Sequence, residues 1–185
     1  WGVPSRIQKM NPDIKLVLVV REPFSRLVSD YYFLRSYAAD GNHSYSSLLE
    51  LCINNETGEV NENYNNILRS RYQYYYQHYL EYFKKYQIHI VNGDKLIDEN
   101  PAVEMKKLAK FLKLETVCDG VFAENAFYYD ELKGYYCYKD EFGCLSDEME
   151  NQFPAEDPKF VEKMKEYFEH YNQIFYRLVG QNFTW

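Results

Sequence analysis

The chain has 185 residues, of which 46% are hydrophobic and 26% charged, and its formal net charge is −7. This length suits one folded core rather than two, and the few prolines and glycines argue against a disordered chain. Nucleic acid is disfavoured as a partner, because proteins that bind it need a basic surface. No apolar run reaches the roughly 20 residues that cross a membrane.

The first residues predict a short helix or turn that ends at Asn11-Pro12-Asp13 and introduces a strand. Residues 14–20 are an almost unbroken run of β-branched residues and leucine, which favours a strand buried on both faces of a parallel sheet. Pro23 cannot continue such a strand but suits the first turn of a helix, and apolar residues recur at helical spacing from Phe24. The sequence therefore predicts a strand that runs directly into a helix.

Arg21 lies at the joint between this strand and this helix. Helix N-termini present unpaired N–H groups and partial positive charge, so an arginine at this place indicates a seat for a phosphate group. Ser25 and Ser29, one helical turn apart, are candidate hydroxyl donors. The alternative is that Arg21 pairs with Glu22, Asp30 or another neighbouring carboxylate and that the serines are surface residues.

Three later segments show helical patterns. Residues 40–44 combine turn-forming residue types, and residues 45–53 predict a short helix after them. In residues 62–86 aromatic and apolar residues recur at spacings of three and four, which predicts one long amphipathic helix with its tyrosine stripe in the core. Residues 157–179 predict an amphipathic helix that closes the chain.

A second strand is expected after the long helix. Residues 88–91 predict a short buried strand, and Asn100 followed by Pro101 predicts the start of another helix. Strands and helices then alternate, as they do in a parallel sheet covered by helices. Residues 125–138 are rich in aromatic residues, and their apolar patterns are short, so we expect loops and a small hairpin there. The expected fold class is α/β.

The four cysteines form no CxxC pair, so no structural metal site is expected. Cys137 and Cys144 enclose a short loop whose length suits a local disulfide in an oxidising compartment. Cys52 and Cys118 are expected to be buried thiols rather than a second bridge.

Three Asn-x-Ser/Thr sequons, at Asn42, Asn55 and Asn182, suit a glycosylated protein of the secretory pathway. The chain starts with Trp1 rather than methionine. We therefore expect it to be part of a longer chain.

One motif resembles a known binding segment. Arg21-Glu22-Pro23-x-x-Arg26-x-x-Ser29-Asp30-Tyr31 is similar to the 3′-phosphate-binding segment of the sulfotransferases, in which a serine follows the Arg-Asp/Glu-Pro opening. Further segments resemble, in order, landmarks of the heparan sulfate glucosaminyl 3-O-sulfotransferases over nearly the whole chain. They are Asn11-Pro12-x-Ile14-Lys15-Leu16, Tyr64 with Leu68 and Ser70, Ile88-His89-Ile90-Val91-x-Gly93-Asp94-x-Leu96-Ile97, Phe111-Leu112-Lys113-Leu114, Lys133-Gly134-Tyr135-Tyr136-Cys137, and Leu178-Val179-Gly180 with Phe183 and Trp185.

The resemblance implies a sulfotransferase fold related to the P-loop NTPases, with a parallel sheet and flanking helices. Residues 1–185 would be the C-terminal part of this domain, with its N-terminal part missing. The resemblance implies that Arg21 and Ser29 bind the 3′-phosphate of the sulfo donor, 3′-phosphoadenosine 5′-phosphosulfate (PAPS). It places Tyr135 near the adenine, with Lys133 in the same motif. The alternative for Tyr135 is a structural aromatic that supports the disulfide.

The resemblance also implies a disulfide between Cys137 and Cys144.

The sequence departs from the family in three places. The Gly-rich 5′-phosphosulfate loop and the catalytic glutamate lie upstream of the aligned segment, so we assign no catalytic residue to this chain. The family's Lys-Gly-Arg segment after the second cysteine is replaced by Met149-Glu150-Asn151-Gln152-Phe153, and a glutamine of the acceptor groove is Phe33. Donor affinity and acceptor choice both depend on these positions.

The function that the resemblance implies is transfer of a sulfo group from PAPS to the 3-O hydroxyl of a glucosamine in heparan sulfate. The expected setting is the Golgi lumen, in a type II membrane protein whose anchor precedes this chain. The alternative is a non-catalytic relative that binds sulfated glycan or a protein partner, which residues 149–153 and Phe33 motivate. A nucleotide kinase is a weaker third interpretation, since kinases need the phosphate loop that these residues lack.

Overall fold

A computed structural model describes residues 2–38, 46–114, 122–139, 143–144 and 155–185. The chain divides into two compact units, one made of residues 1–21 and 82–152 and the other of residues 22–81 and 153–185. The predicted turn at residues 40–44, the sequon at Asn42, Cys118 and residues 149–153 lie outside the described residues.

The described helices and strands follow one another along the chain in this order. They are α1 (Val3–Met10), β1 (Leu16–Val20), α2 (Pro23–Ala38), α3 (Leu48–Cys52), α4 (Asn65–Ser70), α5 (Tyr72–Leu80), β2 (Ile88–Asn92), α6 (Gly93–Asp98), α7 (Ala102–Leu112), β3 (Phe127–Asp130), β4 (Tyr135–Tyr138) and α8 (Pro158–Val179).

The first unit is built on a parallel pair of strands, as predicted. β1 pairs with β2 in a register that sets Leu16 beside Ile88 and Val20 beside Asn92, and α7 packs against β2. The carboxyl ends of both strands therefore lie at the same edge of the sheet. Residues that follow these two strands are brought close together at that edge.

The prediction that the first strand is buried on both faces is wrong. Val20 is fully buried, but Val17 and Val19 are 42% and 56% exposed. Successive side chains of a strand point to opposite faces. Within the described residues only the face that carries Val20 is covered, so a continuous apolar run here does not mean two buried faces.

A helix that the sequence analysis did not predict starts directly after β2. The Asn92 side chain accepts hydrogen bonds from the backbone N–H groups of Asp94 and Lys95, at 3.0 and 3.2 Å, and so caps the N-terminus of α6. Six residues are too few for a recognisable helical period. The capping asparagine was the available signal.

The predicted hairpin is confirmed as the antiparallel pair β3 and β4. Asp130 lies opposite Tyr135, and the Asp130 carboxylate accepts from the backbone N–H groups of Leu132 and Lys133 in the turn. Gly134 ends the turn with φ +73°, a backbone conformation that favours glycine. The predicted disulfide also forms, between Cys137 of β4 and Cys144.

The second unit is helical and has its own apolar core, in which Cys52 is a buried free thiol as predicted. α2 packs against α4 and α8, and α5 packs against α8. The predicted closing helix is confirmed as α8, which Asp157 caps by accepting from two backbone N–H groups. The buried cluster contains Phe24, Leu27, Val28, Tyr31, Leu48, Cys52, Ile67, Phe160, Met164 and Phe168.

The single long helix predicted over residues 62–86 is wrong, because the chain breaks at Arg71. This residue has φ −86° and ψ 71°, and separates α4 from α5. Just before it, the Ser70 hydroxyl donates to the carbonyl oxygen of Asn66, at 2.9 Å. The Arg71 guanidinium lies 4.2 Å from the centre of the Tyr171 ring. α5 also ends at Leu80, before the predicted end. Tyr76 is buried, while Tyr75 and Tyr86 of the predicted stripe are exposed.

No helix among the described residues is long and apolar enough to cross a membrane.

Candidate functional site

Arg21 lies directly after β1, at the carboxyl edge of the parallel pair. Its Nε atom donates to the Oδ1 atom of Asp94 at 3.0 Å, and its side chain is 35% exposed. The carboxylate pairing that the alternative expected is thus present, with Asp94 of α6 as a partner, whereas Ser25 and Ser29 are half-buried rather than at the surface. The guanidinium is thus bound at its Nε atom, while the side chain still reaches solvent.

Gly93 makes this pairing possible, because it allows α6 to start against the stem of Arg21. A Cβ atom at this position would lie 2.9 Å from Cγ of Arg21, 3.0 Å from the carbonyl oxygen of Val20 and 3.3 Å from Val19. Contacts that short require a shift of the neighbouring atoms. Any larger residue would therefore displace either α6 or the arginine.

A chain of hydrogen bonds connects this edge to α7. Glu104 is buried at 4% exposure and accepts from the backbone N–H of Asn92 at 3.3 Å and from Lys107 Nζ at 2.5 Å. The Asn92 side chain in turn accepts from the N–H of Asp94. Sequence reasoning did not assign these residues to a site. For Asn92 and Asp94, the position at the end of the second buried strand was the signal that could have done so. Glu104 and Lys107 of α7 carry no such signal.

The start of α2 differs from the predicted phosphate seat. The Glu22 carboxylate accepts from the backbone N–H groups of Phe24 and Ser25, at 2.9 and 2.7 Å. It also accepts from the Ser25 hydroxyl at 2.7 Å. The protein's own carboxylate therefore occupies these donors, and the prediction of free N–H groups with a Ser25 hydroxyl donor is wrong. The glutamate of the Arg-Glu-Pro motif acts as a helix cap.

Ser29 lies one turn further along α2, in the second unit, and is half-buried. Its hydroxyl makes no hydrogen bond with any other residue that the structure describes. The neighbouring Arg26 donates to the Ser70 hydroxyl at 3.0 Å and contacts Asp30 at 3.3 Å. Arg26 thus ties α2 to α4.

Tyr135 and Lys133 belong to the hairpin of the first unit, and both are half-buried. The backbone N–H of Lys133 donates to the Asp130 carboxylate at 3.1 Å, which fixes the turn that precedes Tyr135. β4 packs against α6, and α6 also contacts β1. The helix that carries Asp94 therefore lies against both the hairpin and the strand that leads to Arg21.

Three other predicted positions are exposed. Phe33 on α2 is 55% exposed, and the sequon residues Asn55 and Asn182 are also at the surface. Their exposure permits contact with ligand or glycan.

Asp130, Cys137 and Cys144 bring three potential metal-ligand atoms within 4.8 Å of one another. Both sulfur atoms form the disulfide, so neither is the thiolate that a metal ion would need. The group therefore does not fit a metal ion.

Comparisons with known proteins identify the family of this chain. The family described as "Sulfotransferase domain" matches residues 4–177. Heparan sulfate glucosamine 3-O-sulfotransferase 5 of Mus musculus is 34% identical over 99% of this chain and 52% of its own length. Heparan sulfate glucosamine 3-O-sulfotransferase 3B1 of Homo sapiens is 30% identical over 98% of this chain and 46% of its own length. The chain thus spans about half the length of these curated relatives.

Among solved structures, a sulfotransferase from Alicyclobacillus acidocaldarius matches with a TM-score of 0.65 at 14% identity. The match covers 99% of this chain and 61% of the other. At this identity the likeness concerns the fold alone. The predicted α/β sulfotransferase fold is confirmed.

Proposed function

Because the chain belongs to the sulfotransferase domain family, we propose that the protein containing it transfers a sulfo group from PAPS to the 3-O hydroxyl of a glucosamine in heparan sulfate. The observation that carries this proposal is the 34% identity, over 99% of the chain, to a protein named heparan sulfate glucosamine 3-O-sulfotransferase 5. The acceptor and the hydroxyl are taken from that name. The donor is the usual co-substrate implied by the resemblance.

Arg21 is the proposed ligand of the 3′-phosphate in the first unit. A guanidinium keeps its charge at every physiological pH and presents N–H donors in a planar fork that matches phosphate oxygens. Its position at the carboxyl edge of a parallel pair is where open α/β sheets bind ligands. Its 35% side-chain exposure leaves it accessible to a bound anion.

Ser29 is the proposed second ligand of the same phosphate. Its hydroxyl is a donor, and its half-buried position would place a bound oxygen partly out of water, where hydrogen bonds are stronger. Because Glu22 caps α2, the helix N-terminus contributes less to this seat than the sequence suggested. Affinity for the 3′-phosphate would then depend on the two side chains.

Tyr135 and Lys133 are the proposed contacts to the adenine part of the donor. A tyrosine offers a flat apolar ring on which a base can stack, with a polar tip. The Asp130 carboxylate and Gly134 fix the turn from which Tyr135 leads into β4. A ring on a rigid hairpin loses little conformational freedom when it binds a base.

The chemistry assigned to these residues is binding and orientation. Sulfo transfer proceeds by in-line attack, in which correct placement of donor and acceptor accounts for a large part of the rate. Arg21, Ser29 and Tyr135 would hold the nucleotide end of the donor, so that its sulfo group points towards the acceptor hydroxyl. No catalytic acid or base is assigned within these residues.

The secretory pathway, with the Golgi lumen as the site of action, is the proposed compartment. The disulfide between Cys137 and Cys144 suits an oxidising lumen. Exposed sequons at Asn55 and Asn182 are compatible with N-glycosylation there. The relatives' names, which refer to heparan sulfate, support a glycosaminoglycan acceptor. A type II membrane orientation is part of this proposal.

The test is a transfer assay with the full-length protein, radiolabelled PAPS and heparan sulfate, followed by disaccharide analysis to find the sulfated position. Arg21→Ala should raise the KM for PAPS about 10- to 100-fold, the cost of losing a charged hydrogen bond. Arg177→Ala, an exposed arginine on α8, is the matched control and should leave the KM unchanged. Transfer to a hydroxyl other than 3-O would contradict the proposed position.

A non-catalytic relative is the second candidate, and the exposed Phe33 favours it. An aromatic ring at 55% exposure suits contact with a sugar ring or a protein partner. If the full-length protein bound heparan sulfate but transferred no sulfo group from PAPS, this second function would replace the first.

A further inference from the structure

We propose that Asp94 is a positioning residue that orients the guanidinium of Arg21 for the 3′-phosphate of the donor. The inference rests on the proposed function, because it assumes that Arg21 binds this phosphate. It adds a residue that does not touch the donor but acts through Arg21.

The first observation is the contact itself. Asp94 Oδ1 accepts from Nε of Arg21 at 3.0 Å, and the two side chains are 21% and 35% exposed. The guanidinium is planar, and its five N–H donors stand in fixed directions. A hydrogen bond that holds Nε therefore limits the directions that the remaining N–H groups can take.

The second observation is that Asp94 is itself held in place. Its backbone N–H donates to the Asn92 side chain at 3.0 Å, and the Asn92 N–H donates to the buried carboxylate of Glu104 at 3.3 Å. Gly93 lies against the stem of Arg21 so closely that a Cβ atom would clash with it. The carboxylate thus stands on the capped first turn of α6, whose backbone these contacts hold in place, as a positioning group needs.

The third observation concerns charge. A carboxylate beside a phosphate ligand opposes anion binding through Coulomb repulsion, and a partly exposed ion pair contributes little to stability. Neither effect explains why a carboxylate stands at this place in a donor site. Orientation of the Arg21 guanidinium explains it, because two well-directed hydrogen bonds to the phosphate can outweigh the repulsion.

The test measures the binding of two nucleotides to the full-length protein by calorimetry: 3′-phosphoadenosine 5′-phosphate, and adenosine 5′-phosphate, which lacks the 3′-phosphate. Asp94→Ala should weaken binding of the first about 10-fold, as expected when a charged hydrogen bond is lost, and leave the second unchanged. Asp94→Asn keeps an acceptor oxygen at the same place and should recover part of the loss. If Asp94→Ala does not fold, Asp94→Asn provides the test of the positioning role.

Asp98→Ala is the matched control, because it removes an exposed carboxylate from the same helix and should leave both affinities unchanged. Binding of the 3′-phosphate nucleotide that is equal or tighter in Asp94→Ala would overturn the inference, since repulsion alone predicts tightening. An equal loss for both nucleotides would also overturn it, since that indicates general loosening. Arg21→Ala separates the two proposals: if it does not reduce discrimination between the nucleotides, the assignment of Arg21 to the 3′-phosphate fails.

Discussion

A Cβ atom at Gly93 would lie 2.9 Å from Cγ of Arg21, closer than real Cβ atoms come to other atoms. The first residue of α6 therefore lies directly against the stem of the arginine. The next residue, Asp94, binds the Nε atom of the same arginine at 3.0 Å. One short segment after β2 thus packs against the stem of Arg21 and also binds its guanidinium.

Gly93→Ala is expected to lower the free energy of unfolding by about 1–3 kcal/mol, the usual cost of overpacking a close contact. The backbone oxygen of Val20, at 3.0 Å, cannot move aside as easily as the flexible arginine stem. Urea unfolding measures the stability, and calorimetry with 3′-phosphoadenosine 5′-phosphate should show weaker binding. Gly2→Ala is the control, since nothing lies within 4 Å of a Cβ there. Equal stability of Gly93→Ala and the wild type would show that α6 moves without cost.

Glu22→Ala is expected to destabilise the protein by about 1–2 kcal/mol, because it removes the cap of α2. The N–H groups of Phe24 and Ser25, which donate to Glu22, then become available to an anion. Added sodium sulfate should therefore raise the melting temperature of this variant more than that of the wild type. Glu162→Ala, on the exposed face of α8, controls for the change in net charge. An equal response of Glu22→Ala and Glu162→Ala to sulfate would argue against an anion seat at this helix.

Phe33→Gln is expected to change the KM for the heparan sulfate acceptor several-fold while leaving nucleotide affinity unchanged. Phe33 is exposed, so the substitution should not affect folding. It lies one helical turn beyond Ser29 on the same side of α2, and the family resemblance places an acceptor contact there. Steady-state kinetics of the full-length protein provide the measurement. Leu34→Gln alters an exposed neighbour on a different side of the helix, and a similar KM change in both variants would remove any special role for Phe33.

His89 is expected to make the protein less stable in mild acid. Burial lowers the pKa of His89 from its ordinary value, with Lys107 acting in the same direction and Glu104 against it. The ring stacks on Phe111 with centroids 5.0 Å apart, and its Nε2 atom has no hydrogen-bond partner among the described residues. The unfolded chain therefore binds more protons than the folded one near and below pH 6.5, and the free energy of unfolding falls as pH is lowered through that value.

Urea unfolding at pH 7.5 and 5.5 tests the role of His89. His89→Gln removes the titrating ring and should reduce the loss of stability between the two pH values. His170→Gln, at an exposed histidine of α8, should retain the wild-type loss. The same pH response in the wild type and in His89→Gln would mean that another group is responsible.

Local chemistry in the sequence was enough to predict most of the elements. The apolar run before Arg21, the proline after it and the Asn100-Pro101 pair each carry a signal that depends only on neighbouring residues, and β1, α2 and α7 follow. The same holds for the disulfide, since Cys137 and Cys144 are only 7 positions apart and need no distant partner.

The wrong predictions concern places where the local structure or burial depends on residues far away in the sequence. The expected long helix breaks at Arg71. Periodicity could not show that the guanidinium of this residue lies over Tyr171, one hundred positions later in the chain. It could not show that one face of β1 is exposed either, because burial depends on what packs against a strand.

The sequence alone determined that an arginine follows a buried strand and precedes a helix, and which family pattern surrounds it. The tertiary structure decided what holds that arginine. Parallel pairing of β1 with β2 brings two segments more than 70 positions apart to one sheet edge, where Asp94 binds Arg21 across a sequence separation of 73. Such a contact has no local signal, because it depends on strand pairing and not on the residues next to either partner.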